Sequence, residues 1–399
     1  MRERTEQAIE LMTRFAERTG LTSERLQQRY LWTDAFAVCT FLGLGHAMGA
    51  SDNTELALRL VRRVHEVLGH HRPDDRRTGW ISGLSEEEGE AHPTRGGLRI
   101  GKPLPERTPG EPIDERLEWD RDGQYFHYLT KWMHALDQVT RWTGQTMFSA
   151  WARELAYAAH RAFTYAPSGG SRKAMYWKLS IDLSRPLVAS MGQHDPLDGL
   201  VTCMQLEATA PSEPSLARAI ADFAAMVDPR RLATADPLGL GGLLVDAYRV
   251  LQLENQGGGD QGLVEALLAA TAVGIRHYVE QSELRLPAAR RLAFREIGLA
   301  IGLGVLERDA WHAARASVRA GLARLTRYAA LRAEIEAFWL RPEHRRVDSW
   351  LAHADINDVM LTASLQPEGV LIIPPARASS VGGPEISLEG VSTKPSPAT

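Results

Sequence analysis

The chain has 399 residues, 44% of them hydrophobic and 24% charged, with a formal net charge of −4. These are ordinary globular values. They exclude a polybasic nucleic-acid binder, and no apolar run approaches the roughly 20 residues needed to span a bilayer. The segment MRERTEQAIELMTRF is a charged amphipathic helix without the apolar core of a secretory signal. Cys39 and Cys203, the only two cysteines, sit in apolar segments and predict buried free thiols in a reducing, cytoplasmic setting.

Helical spacing dominates from the first residues onward. It predicts helices over roughly 3–19, 31–49, 53–70, 123–143, 146–164, 196–210, 214–227, 240–255, 260–282, 287–305, 308–326 and 327–340. Asp52-Asn53, Asp122-Gly123 and Asp195-Pro196 serve as start signals, and Gly49 and Gly144 as stops. Between Arg72 and Gln124 the periodicity vanishes. Connections that long are uncommon in compact domains and are functional or disordered. Trp80, Ile81, Leu84, Leu98, Ile100, Leu117 and Trp119 act as anchors there, which argues for an ordered loop. A second irregular segment spans Tyr165–Asp195. Strand signals are confined to Met175–Ile181, Val359–Leu365 and Val370–Ile373, and the Pro-, Ser- and Gly-rich tail from Arg377 reads as disordered.

About a dozen helices with short connections pair antiparallel with their neighbours. Six such pairs give an all-α chain: an (α/α)6 toroid of helical hairpins over residues 1–376, with long loops at one end and minor β segments, followed by a disordered tail over 377–399. The competing layout, a solenoid of helical repeats, would need a motif recurring every 34–47 residues or so, and none is visible. If 123–143 and 146–164 form a hairpin, loops 72–122 and 165–195 share one end and face each other over a mouth. Seven of the ten tryptophans and nine of the thirteen histidines fall within residues 1–194, so the first half is expected to carry the site and the second half the scaffold.

The stretches GWISGLSEEEGEAHPTRGG, LEWDRDGQYFHYLTKWMHALDQV and MYWKLSIDLSRPL, on one rim of an all-helical chain of this length, resemble the six-hairpin glycosidase-like superfamily, in its bacterial branch of unassigned activity. The resemblance spans roughly residues 25–340. It implies an (α/α)6 barrel and a carbohydrate-like ligand, and it carries over no individual catalytic residue.

Four groups of residues then compete for the chemistry. Glu86, Glu87, Glu88 and Glu90 crowd a short turn near Trp80 and the Thr94-Arg95-Gly96-Gly97 run. Crowded carboxylates have raised pKa values, which suits a general acid, although a solvated charged turn is the plainer alternative. Asp120 and Asp122 are flanked by Trp119 and Tyr125, whose faces suit sugar stacking. Asp122 before Gly123 can equally cap a helix, as Asp195 can before Pro196, with Asp198 favoured by the helix dipole. Gln124, His127, Lys131, His134 and Gln138 form a polar stripe at helical spacing; on an inner-ring helix it would face the cavity. Trp177, Lys178, Asp182, Arg185, Gln193 and His194 come from the second loop, with Trp177 beside Lys178 as a sugar platform. GGLRIG lacks a GK[ST] ending, and there is no HExxH, CxxC or GxSxG, so neither cofactor nor metal is expected.

The expected function is a carbohydrate-active enzyme, a glycoside hydrolase of inverting type with carboxyls roughly 6.5–9.5 Å apart. One carboxylate comes from Glu88 or its neighbour Glu90, the other from Asp120 or Asp122. A sugar epimerase using His127 and His194 is the first rival, and a non-catalytic carbohydrate-binding toroid the second. Trp80, Glu86, Arg95, Trp119, Tyr125, Lys131, His134, Trp177, Lys178, Gln193 and Asp195 are the expected binding residues. The expected partner is a small-molecule or oligosaccharide substrate, with no nucleic acid and no membrane; a homo-oligomer is compatible with the sequence.

Overall fold

Most of the apolar periodicities become helices close to where they are expected; the run 308–326 instead begins as a 3-10 turn at Asp309–Ala313 and is α-helical only over Ala316–Ala323. The computed structural model describes residues 2–23, 29–169, 172–210, 215–257, 262–281 and 283–375. The helices are α1 (Arg2–Arg18), α2 (Leu31–Met48), α3 (Ser51–Leu68), α4 (Glu86–Ala91), α5 (Glu115–Asp120), α6 (Phe126–Thr143), α7 (Met147–Phe163), α8 (Asp195–Thr209), α9 (Ala217–Met226) and α10 (Pro237–Asn255). They continue with α11 (Leu263–Gln281), α12 (Ala293–Leu303), α13 (Ala316–Ala323), α14 (Ala330–Leu340), α15 (Asp348–Leu351), α16 (Ala354–Leu365) and α17 (Glu368–Leu371). Five short strands interrupt them: β1 (Gln124–Tyr125), β2 (Thr164–Tyr165), β3 (Ala174–Met175), β4 (Lys178–Leu179) and β5 (Pro186–Val188).

The architecture is an (α/α)6 toroid. Helices α2, α6, α8, α10, α12 and α16 each pack on the next, and α16 returns to α2, closing an inner ring. Outer helices α3, α7, α9, α11 and α14 back the first five in turn. The sixth, α16, is backed by α1, so the last hairpin joins residues near the two ends of the sequence; Arg18 ties it with a 2.9 Å contact to Asp358.

Inner and outer helices differ in the way their positions require. Outer α3 buries Ala57, Leu60, Val61, Val64 and Leu68 along one stripe and turns its charges outward. Inner α2 is buried almost continuously from Leu31 to Gly45, as a helix enclosed on all sides must be. That enclosure corrects one expectation. Val359–Leu365 is not a strand but the end of α16, because a short run buried on every face carries no period to separate strand from helix.

Val370–Ile373 is not a strand either. It belongs to α17 and the extended residues after it, which seal one end of the ring. Gln138 donates to the carbonyls of Gly369 and Ile372, each at 2.7 Å, and Gln252 donates to Leu371 and accepts from the Ile373 amide at 2.8 Å. The approach is so close that a Cβ on Gly369 would lie 1.8 Å from the Cys39 carbonyl oxygen.

The opposite end holds the two irregular segments, which meet as the hairpin topology requires. β1 pairs antiparallel with β4, and β4 with β5. Gln124 accepts from the Leu98 amide and donates to the carbonyls of Gly96 and Ile181. Gly123 sits at φ 144°, where a Cβ would come within 2.7 Å of the Leu179 carbonyl, so only glycine fits this crossing. Two short helices inside the first loop escape sequence reading: α4, started by a Ser85–Glu88 capping box, and α5, capped by Asp114. Residues 377–399, expected to form a tail, lie outside the described residues.

Candidate functional site

The sealed ring leaves a cavity of about 250 Å³, lined by the N-terminal halves of α2, α6 and α8, by α10 from Leu238 to Arg249, by α12, α16 and α17, and by Trp177, His194 and Asp236 from the connections. It is therefore a blind pocket, open at the loop end and floored by Val370.

Three residues of the polar stripe on α6, His127, Lys131 and His134, line this pocket. Lys131 Nζ donates to Asp198 Oδ1 at 2.8 Å. His127 presents Nδ1 toward Asp195 Oδ1 at 3.9 Å, too far for a hydrogen bond, and that nitrogen has no other hydrogen-bond partner. His134 Nδ1 lies 3.1 Å from Gln205 Oε1, which also accepts from Arg249 at 2.6 Å. The stripe's outer members serve the fold: Gln124 holds the loops and Gln138 holds the floor.

Asp195 and Asp198 lie one turn apart at the start of α8, both buried and both lining the pocket. Burial pushes the Asp195 carboxyl up to about 7, and the negative charge of Asp198 adds to the effect; one amide, that of Gly192 at 3.2 Å, donates to it. Burial also acts against the Asp198 anion, but the Lys131 ammonium outweighs it and holds that carboxyl below the ordinary range. Burial drives His127 down to about 4 and His134 well below its usual value, so both imidazoles are neutral at pH 7. Asp246 and Arg249, paired at 3.0 Å on α10, and Asp236, paired with Arg295, complete the charged lining, and burial raises the Asp246 carboxyl.

Aromatic rings lead inward from the mouth. Half-exposed Trp119 meets Trp177 edge-on at 5.0 Å; Trp177 stacks on Tyr125 at 5.3 Å, and Tyr125 on His127 at 5.6 Å. Of these rings Trp177 and His127 line the pocket, as do Trp32 and Phe36 of α2, at 4.4 Å from each other, whereas Trp119 and Tyr125 do not.

The other expected residues stand elsewhere. Glu86, Glu88 and Glu90 are exposed on α4, away from the pocket. Glu88 is spent on the capping box, and its bond with Ser85 lowers its pKa, the reverse of the raised value expected from crowding. Trp80 is buried against His70 at 4.0 Å inside the loop, and Arg95 is exposed. Asp120 is exposed at the end of α5 and does not line the pocket. Asp122 is neither a ligand-facing group nor a helix cap. It is fully buried and clamps the loop through Arg99 at 2.6 Å and the Gly101 and Gly123 amides at 3.0 Å each. Lys178 is also fully buried, bonded to Glu118 at 2.9 Å and to two carbonyls. Gln193 is exposed and pinned to the Ala233 carbonyl, while His194 donates to Leu232 at 2.8 Å and lines the pocket.

The second half of the chain is more than scaffold, because α10, α12, α16 and α17 supply half the wall. Asp246 and Arg249 went unread, and their signal was available: an acid and a base three residues apart on an otherwise apolar helix. Both cysteines are free and buried, and Cys39 touches the pocket. Among the described residues no cluster of three or more metal-ligating side chains occurs, and no helix is long and apolar enough to cross a membrane.

No family profile and no curated protein matches this sequence. Among solved structures, a GH76 α-mannanase from Bacteroides thetaiotaomicron superposes with a TM-score of 0.52 at 12% identity, covering 92% of this chain and 97% of its own. That likeness shows a shared (α/α)6 toroid fold. Cellobiose 2-epimerases from Spirochaeta thermophila and Bacillus thermoamylovorans give TM-scores of 0.46 and 0.44 at 12% and 10% identity, covering 85% and 76% of this chain and 86% and 76% of theirs.

Proposed function

We propose that this chain is a carbohydrate-active enzyme, a glycoside hydrolase whose two working carboxyls are Asp195 and Asp198. The observation that carries the reading is their opposed electrostatics one turn apart in a blind pocket: one carboxyl raised to about 7, the other held down by Lys131. Paired acids driven in opposite directions are the arrangement by which one site keeps a proton donor and an anion together at neutral pH. Asp195 donates its proton to the glycosidic oxygen as the bond from that oxygen to the anomeric carbon breaks. Asp198 accepts a proton from the water whose oxygen attacks the same carbon. Trp177 offers its ring face to the sugar. A pocket of about 250 Å³, just below the usual range for ligand sites, suits one terminal sugar unit rather than the middle of a long chain.

Screening aryl glycosides and short oligosaccharides, and following the first-formed anomer by NMR, tests this reading. Inversion is expected. Retention would recast Asp198 as a nucleophile, since that course needs carboxyls only about 5–5.5 Å apart. Failure of every glycoside to turn over would remove the hydrolase.

The epimerase reading rests on His127 and His194, which share the pocket. It is the weaker one. A base driven down to about 4 has little drive to take a proton from carbon at neutral pH, whereas an acid near 7 is matched to the hydrolytic task. Incubation with reducing sugars in deuterated water separates the two, because only epimerisation places solvent deuterium on carbon.

A further inference from the structure

The pocket is divided along the ring. All its charged and imidazole groups come from α6, α8, α10 and the connections leading into α8 and α10. The contiguous half formed by α12, α16 and α2 contributes only apolar atoms, an indole and the Cys39 thiol, and Val370 extends that surface across the floor. The thiol is neutral, since burial pushes it up to about 12. A ligand made of hydroxyls throughout would leave half of its polar groups facing Ala35, Phe36, Ile301 and Met360 without partners, and each such group costs desolvation. The charged half is itself balanced, Lys131 and Arg249 against Asp198 and Asp246, with Asp236 paired to Arg295, so it offers no net charge to attract an anionic sugar.

We infer that the substrate is amphipathic: an uncharged sugar joined to an apolar aglycone, with the sugar on the α6–α8–α10 wall and the aglycone against Phe36, Ile301, Met360 and Val370. The inference rests on the glycosidase reading and names the substrate class of that site. Transfer of the aglycone from water to this wall supplies binding that grows with its apolar area, while the sugar hydroxyls reach the histidines and the free Lys131 donors.

Titration of Asp195→Asn, which keeps the pocket but lacks the proton to be donated, with methyl, butyl and octyl glucosides and mannosides tests the assignment by calorimetry. For at least one sugar, affinity should rise about fourfold for each added methylene over the first four carbons, and it should exceed that of the matching disaccharide. Met360→Gln, which keeps side-chain length, should flatten this rise. A flat series, or a disaccharide or a hexuronic acid that binds more tightly than the butyl glycoside, would overturn the amphipathic assignment. The two readings fail separately: a steep series without turnover by the wild type removes the hydrolase and leaves the divided pocket, whereas turnover with a flat series does the reverse.

Discussion

Buried charge occurs in two regions of this molecule, and they use it differently. Inside the loop end, Asp122 receives Arg99, Arg72 and two backbone amides, and Lys178 spends its ammonium on Glu118 and two carbonyls. In the pocket the bonding is incomplete. Asp195 has one backbone donor, His127 Nδ1 has none, and Lys131 makes one bond with an ammonium that can make three. Completed buried charges hold structure. Uncompleted ones facing a cavity are available to a ligand, and the difference is one of partners rather than residue type.

The largest expected effect breaks that comparison if it fails. Asp195→Asn removes the proton donor while keeping its shape, so turnover should fall by about a thousandfold, within the usual range for general acids. Asp122→Asn should act in the opposite sphere. It strips the counter-charge from buried Arg99 and should lower stability by about 3–5 kcal/mol, with the remaining folded protein still active. Denaturant titration and single-substrate kinetics on both variants read the two outcomes. Equal losses of both kinds in both variants would erase the distinction.

The pocket groups also leave a signature in stability against pH. Asp195 is raised from an ordinary carboxylate value to about 7, so the folded chain binds more protons than the unfolded one between about pH 4 and 7. Wild type therefore loses stability as pH rises across that window, on the order of 4 kcal/mol once complete, and Asp195→Asn should not. His127 is lowered to about 4, and the sign reverses: its share is lost as pH falls from about 6.5 to 4, about 3 kcal/mol in full, and His127→Asn should remove that loss. Activity should decline above pH 7 as Asp195 ionises. Melting curves of the two variants at pH 4.5, 6 and 8, in steps chosen across the windows, would show whether these slopes have opposite signs.

How much of this was legible beforehand follows from the same physics. Outer helices such as α3 announce themselves because one face meets water. The cavity stripe on α6 was readable for a similar reason, since polar residues at helical spacing mark a wetted face. Inner α16 was hidden because its run from Asn357 to Leu365 is buried on every face, whereas Asp246 with Arg249 is legible as an acid and a base three residues apart in the apolar run of α10. Loop residues were the hardest. Asp122 and Lys178 look functional in sequence because charge between aromatic residues is unusual, and only their partners, drawn from 20 to 60 residues away, reveal the structural role.

The smallest expected effect concerns the most conspicuous acidic cluster. Glu86, Glu88 and Glu90 are exposed on a single short helix, and none of them lines the pocket. Glu88 has a local task, closing the capping box with Ser85. Glu86 approaches His70, at 3.7 Å. Dense charge in sequence is here a mark of solvent, since several adjacent carboxylates can remain ionised only where water screens them. The triple substitution to glutamine keeps side-chain length and hydrogen bonding, so turnover should stay within about twofold of wild type, as for surface changes generally. Kinetics on that variant, beside Asp195→Asn, sharpen the comparison at its weak end. A hundredfold loss would move the catalytic acid to the loop and reduce the Asp195–Asp198 pair to part of the wall.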